Sequence, residues 1–332
     1  MNLRITALEL AQAHKLDHTA TARLMSLAGL DTQPAPLARW FWRAVAILAA
    51  ALGGLGLIFW VAANWGDFGR AGRFALLQAF VVVMLLGAWW RPALRAPLAL
   101  LALLGTGGLF AYFGQTYQTG ADPWQLFALW AVLTLPLALA VRSDVVWAPW
   151  AIVVMTAISL WMQTHMGHQW NIRTEHLFVH MAAWAAALTL SVGLSTLLSG
   201  ITGAGVWSWR TATMLFISMV TLTALGGLFA RHVSAHYVLG LVVLAAAGVM
   251  FASARMYDVF ALSGVALGLN VLILGGVGRL LFEGARSDII GALLLMGLVS
   301  AGVLAASVNV ILRIVRARTP GDARATPVED AA

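Results

Sequence analysis

The sequence predicts an all-α fold: a polytopic bundle of about ten transmembrane helices behind a short cytoplasmic helical segment. Hydrophobic residues make up 61% of the 332 positions and charged residues only 10%, against roughly 25% charged in an ordinary soluble domain. Mean hydropathy is +0.87. The stretches 44–63 and 145–164 carry no ionisable side chain, and each has about the 20 residues needed to cross a ~30 Å hydrocarbon core. Arg and Asp fall mostly between such stretches, where their charges meet water.

Residues 1–41 are mixed and polar. Helical patterns run through Ile5 to His14 and Thr19 to Ala28, with Asp17 or Thr19 placed to cap the second. No apolar stretch precedes a small-residue cleavage site, so a signal peptide is not expected. Asp31 to Pro36 reads as a linker, and Arg39, Trp40, Trp42 and Arg43 are the aromatic and cationic anchors of a membrane surface. The membrane bundle is therefore expected over residues 42–315, with a flexible cytoplasmic tail over 316–332.

Within the bundle, helices are predicted at 44–63, 74–90, 96–118, 124–141, 145–164, 177–199, 211–230, 236–254, 259–282 and 289–313. With the N-terminus inside, fourteen of the 20 Lys and Arg residues fall on the cytoplasmic side and six on the other. Because Lys and Arg resist translocation, this places both termini in the cytoplasm. Gly264 and Gly268 permit close helix approach, read as packing within the bundle. Pro97, Pro123, Pro136 and Pro149 precede residue 150, and every Trp precedes residue 210, which gives little support to two equivalent halves.

Several function classes lose their chemistry at this point. Zero Cys excludes disulfides and thiolate sites, and the lone lysine, Lys15, leaves no Walker A nucleotide loop. The basic residues are dispersed, so nucleic acid is not an expected partner despite the net charge of +7. All thirteen Asp and Glu fall in tails, loops or helix ends, which removes a mid-membrane acid as proton carrier. Gly193-Leu-Ser195 is only a fragment of a serine-protease pattern. No enzyme activity and no cofactor are expected.

Two clusters remain. Asn64, Gln78, Gln115, Tyr117, Gln118 and Gln125 lie at the predicted outer ends of helices one to four, beside Trp65, Asp67, Asp122 and Trp124. They suit a shallow pocket that holds the polar head of an amphiphile; equally, they suit helix capping and interhelical hydrogen bonds. Asn270, mid-helix, lines a substrate path or bonds a neighbouring helix. Six histidines, His165, His168, His176, His180, His232 and His236, fall near two outer connections. Four-residue spacing suits a transition-metal pair, imidazole also serves as a pH sensor, and exposed loop histidines with neither role are the common case. Pro136 frees a carbonyl in the fourth predicted helix and marks a kink or hinge.

The segments Ala62-Ala-Asn-Trp65 and Gly114-Gln-Thr-Tyr-Gln-Thr-Gly-Ala-Asp-Pro-Trp-Gln-Leu-Phe-Ala-Leu-Trp130, with the helical N-terminal segment, resemble the domain of unknown function 2157 family of predicted bacterial membrane proteins. The resemblance covers about residues 5–150. It implies a bacterial membrane location and supplies no activity. From architecture, the expected function is a transporter or flippase-like carrier of a small or amphiphilic molecule. The alternative is a membrane anchor, sensor or accessory protein whose residues 1–38 contact a cytoplasmic protein partner. In either case the lipid bilayer surrounds the bundle.

Overall fold

The computed structural model describes residues 3–28, 35–63, 66–117, 120, 122–167, 172–230, 232–253, 256–284 and 289–318. Asn64, Gln118, His168 and the tail beyond 318 lie outside the described residues. Helices dominate, and no strand occurs among the described residues. Nine described helices are long and apolar enough to cross a membrane, and Trp40–Gly56 adds a shorter apolar stretch. The chain is a multi-span membrane protein.

Two compact units divide the chain, Met1–Trp65 and Gly66–Ala332. The first holds α1 (Leu3–Ala13), α2 (His18–Leu27) and α3 (Ala35–Ala63). Lys15, with φ of 47°, turns the chain after α1. Asp17 then caps α2: its side chain accepts the Ala20 N–H at 2.7 Å and the Thr19 hydroxyl at 2.8 Å. These two bonds, the backbone one foremost, hold the Asp17 carboxyl below the usual range. Both caps named from sequence meet here, as donor and acceptor.

The second unit is the bundle: α4 (Arg70–Trp90), α5 (Arg95–Tyr117), α6 (Pro123–Val141), α7 (Asp144–His165), α8 (Leu177–Gly193), the single turn α9 (Ser199–Thr202), α10 (Val206–Leu228), α11 (Ala235–Ala252), α12 (Val259–Gly284) and α13 (Ile289–Arg318). The predicted spans coincide with these to within a few residues, with one correction. The helix predicted at 177–199 stops at Gly193, and the one predicted from 211 starts at Val206. Residues 194–205 are instead tied to the α6–α7 connection and the first turn of α7: the Arg142 side chain donates to the Gly200 carbonyl at 2.6 Å, and the Trp147 indole to that of Thr202 at 3.0 Å. Consecutive spans run up and down, giving a bundle with an Arg142 end and a His176 end.

Burial centres on α10, where Ala212, Phe216, Val220 and Ala224 are fully inaccessible. Small residues let its neighbours approach. Gly240 of α11 faces Ala224, and Gly264 and Gly268 of α12 face Met214, Ile217 and Thr221, so the predicted glycine pair serves packing inside the chain. Indole N–H groups cross between helices: Trp130 to the Leu103 carbonyl, Trp150 to that of Ala131, and Trp184 to the Thr223 hydroxyl. With no hydrophobic drive between helices in lipid, such contacts and close packing carry association, at about 0.6 kcal/mol per hydrogen bond on average.

Candidate functional site

Two features at the His176 end combine shape with chemistry. The first is a groove of about 500 Å³ among α6, α7 and α8. Ala128, Ala131, Ala157, Ala182 and Ala186 make it by being small, and Trp124, Trp150 and Trp161 wall it. Trp124 stands in the first turn of α6 after Pro123, whose missing N–H costs nothing at that position. Along α6 the lining runs from Trp124 to Leu135. Eleven residues at ~1.5 Å each cover roughly 16 Å, about half of a ~30 Å hydrocarbon core.

The Trp124 indole N–H is buried without an acceptor among the described residues. A buried indole N–H normally finds a partner. Trp209 shares that state in the core, whereas Trp124 does so on the wall of an apolar groove. The groove is thus hydrocarbon-lined, with the Trp124 indole N–H buried within its wall near the His176 end.

The second feature is a histidine pair. A turn of 3-10 helix, Thr174–His176, leads into α8 and sets His180 one turn on. Ser234 precedes α11 and fixes the entry of that helix through its N–H to the Gly227 carbonyl, 3.0 Å. A Cβ on Gly227 would lie 2.8 Å from that of His236, so glycine is what lets α11 start against α10. The two imidazoles, both fully buried, meet edge to face with centroids 4.6 Å apart.

His180 Nδ1 lies 2.9 Å from the His176 carbonyl and 3.2 Å from His236 Nε2; His236 Nδ1 lies 2.6 Å from Ser234 Oγ. His180 Nε2 is buried with no partner among the described residues. Beside the pair is a polar recess of about 560 Å³, lined by Ile172, Arg173, Thr174, Glu175, Ala230, His232 and Ser234. Glu175 pairs with Arg173 at 3.3 Å and lies 3.8 Å from His176 Nε2.

The expectation of loop histidines therefore needs correcting. His180 and His236 lie in the first turns of α8 and α11, which start within one residue of the predicted positions, and the packing of these turns beside α10 leaves each imidazole at zero exposure. His165 and His232 are exposed, and His165 bonds the Trp161 carbonyl at 2.8 Å. Among the described residues, no three His, Asp or Glu side chains come together as a metal would require.

The amide positions among the described residues take no part in either feature. Gln78, Gln115, Tyr117 and Gln125 are exposed, and none lines the groove or the recess. Tyr117 belongs to an aromatic cluster with Phe74 and Phe113. Asn270 is buried and accepts the Ser307 hydroxyl of α13 at 2.7 Å. Ser195 spends its hydroxyl on the Val192 carbonyl at 2.6 Å. Sequence reading passed over the groove, which only the packing of three helices creates; the alanines at 128, 131, 182 and 186 were its one visible signal.

Residues 8–147 match the model of the family described as predicted membrane protein (DUF2157). The match takes in the N-terminal helices and the spans through the start of α7. Neither a curated protein nor a solved structure matches the chain.

Proposed function

We propose that this multi-span membrane protein, similar over residues 8–147 to the DUF2157 predicted membrane proteins, binds an amphiphile, as a carrier or flippase-like protein does. The observation that supports the reading is the alanine-lined groove, in whose wall the Trp124 indole N–H has no acceptor among the described residues. A hydrocarbon chain fills the groove to about one leaflet's depth, and a turn of the Trp124 ring brings its buried N–H to the ester or amide carbonyl at the head. The fourteen-to-six division of basic residues supports cytoplasmic termini and with them a groove in the outer leaflet, and the family resemblance supports a bacterial inner membrane. No catalytic role is assigned.

Thermal unfolding of the detergent-purified protein during titration with phosphatidylglycerol tests this, since a ligand of the folded state raises apparent stability. Saturable stabilisation is expected, lost in Ala157→Phe, which fills the groove, and kept in Gln115→Leu, which lies outside it. Equal stabilisation of all three proteins contradicts the proposal.

A second reading, an anchor for a cytoplasmic partner, draws on the Met1–Trp65 unit, where α1, α2 and the turn between them leave Leu8, Leu10, Leu16 and Leu27 exposed. Deletion of residues 1–38 then abolishes capture of that partner and leaves membrane insertion intact; retained capture contradicts it.

A further inference from the structure

We infer that the His180–His236 pair is a proton-binding site and that it regulates the groove through α8. The coupling to the groove rests on the amphiphile-binding reading; the proton site stands on the pair's own geometry.

Hydrogen placement follows from the partners. The His176 carbonyl can only accept, so His180 carries its proton on Nδ1 and shares that N–H with His236 Nε2. His236 then carries its proton on Nδ1 and donates to Ser234 Oγ. Both rings are neutral, and three of the four ring nitrogens are satisfied. The fourth, His180 Nε2, is a bare lone pair with no partner among the described residues, in a side chain at zero exposure.

An added proton has two places to go. On His180 Nε2 it makes a buried N–H with no acceptor and places a charge in an apolar site. On His236 Nε2 it sets two N–H groups against one another at 3.2 Å. The closed contact accommodates neither. Separation of α8 from α11 at this end admits water from the recess, whose wall includes Ser234, the residue already bonded to the pair. Proton uptake and opening are therefore linked.

The surrounding charges do not substitute for water. Before α8, Glu175 is held by Arg173 and reaches only towards His176; α8 beyond His180 and the last two turns of α10 contain no ionisable residue. On α11, the Tyr237 hydroxyl donates to the Leu272 carbonyl. In the connection before it, His232 is exposed. On α12, Arg279 pairs with Glu283 at 2.7 Å and donates to the Leu228 and Ala230 carbonyls.

The path to the groove is one helix. His180 and Trp184 lie on the buried face of α8, while Ala182 and Ala186 line the groove. A tilt of the first turns of α8 away from α11 narrows or widens the groove directly.

The chain lacks Cys, so Phe178→Cys and Val238→Cys, exposed on the first turns of α8 and α11, accept a pair of spin labels in the full-length protein. In vesicles of phosphatidylethanolamine and phosphatidylglycerol, the label distance is expected to lengthen by several ångströms between about pH 8 and about pH 4, the range of imidazole titration extended downward by the cost of opening the contact. The response is expected to vanish in His180→Asn/His236→Gln and to persist in His165→Gln. A pH-independent distance, or a response that survives the double substitution, overturns the proton site. Nitrogen NMR of labelled histidine in the unsubstituted protein provides a measurement that needs no folded variant: at about pH 8 His180 should be protonated at Nδ1 and bare at Nε2, and the reverse overturns the assignment. Phosphatidylglycerol stabilisation measured at both pH values separates the two claims. A moving distance with no lipid stabilisation at either pH keeps the proton site and removes the groove reading; an unmoved distance with stabilisation intact does the opposite.

Discussion

Asp144, the first residue of α7, accepts the Ser208 hydroxyl at 2.5 Å and caps α10 from a different part of the chain. The same carboxylate receives the backbone N–H groups of Gly205 at 2.7 Å, Trp207 at 3.1 Å and Ser208 at 3.2 Å. Four donors converge on one anion at the positive end of the most buried helix, which joins a charge-assisted cap to the helix dipole. A Cβ at Gly205 would lie 2.4 Å from an Asp144 oxygen, so the glycine is what lets the carboxylate in.

Replacing Asp144 with Ala should therefore lower stability by about 2 kcal/mol, the upper part of the range for a lost N-cap. Asp144→Asn, which keeps two acceptor lone pairs and loses the charge, should lose less. Thermal unfolding in detergent reads both; equal stability of the Ala variant and the parent would remove the cap from the account.

Gly107 gives a packing test. The Trp130 ring occupies the space a Cβ would take, at 2.4 Å, and its indole is committed to the Leu103 carbonyl. Gly107→Ala should cost about 1–3 kcal/mol, as overpacking does. Gly297→Ala, with nothing within 4 Å, is the matched control and should leave stability unchanged or slightly higher. Similar unfolding temperatures for the two variants would contradict the close α5–α6 contact.

Asp17 predicts a pH dependence confined to α2. Its carboxyl is held low, first by the Ala20 N–H and then by the Thr19 hydroxyl. A depressed carboxyl contributes stability that is present above its unfolded value, about 3.9, and is lost as pH falls through the lower folded value. Amide exchange at Ala20 to Arg23, corrected for intrinsic rate, should accelerate below about pH 4 in the parent. In Asp17→Asn that acid-dependent step should be missing; an identical step in both proteins would assign it to another group.

Much of this fold was legible in sequence, for a physical reason. Where polar residues bracket an apolar run, as Asp144 and His165 bracket α7, hydropathy locates both ends. It failed at Gly193, because Leu194, Leu197, Leu198 and Ile201 keep the chain apolar through a turn that is held from outside, by Arg142 at the end of α6 and Trp147 of α7. Candidate sites were less legible. The amides at 78, 115 and 125 share one predicted end of the bundle, but sequence does not give each helix its rotation, and these side chains point apart from the groove. His180 and His236 are 56 positions apart, and what joins them is Gly227, whose missing side chain is visible only once α10 and α11 are packed.

The central claim is that the groove among α6, α7 and α8 selects an acyl chain, and photo-crosslinking with a phospholipid carrying a diazirine in its acyl chain tests it most directly. The account predicts labelling of peptides containing Ala128 to Leu135 and Val154 to Trp161 that saturates with probe, is competed by unlabelled phosphatidylglycerol and falls at least tenfold in Ala157→Phe. Label spread without saturation over all lipid-facing helices, as heavy on exposed Leu294 and Leu298 of α13 as in the groove, would contradict it.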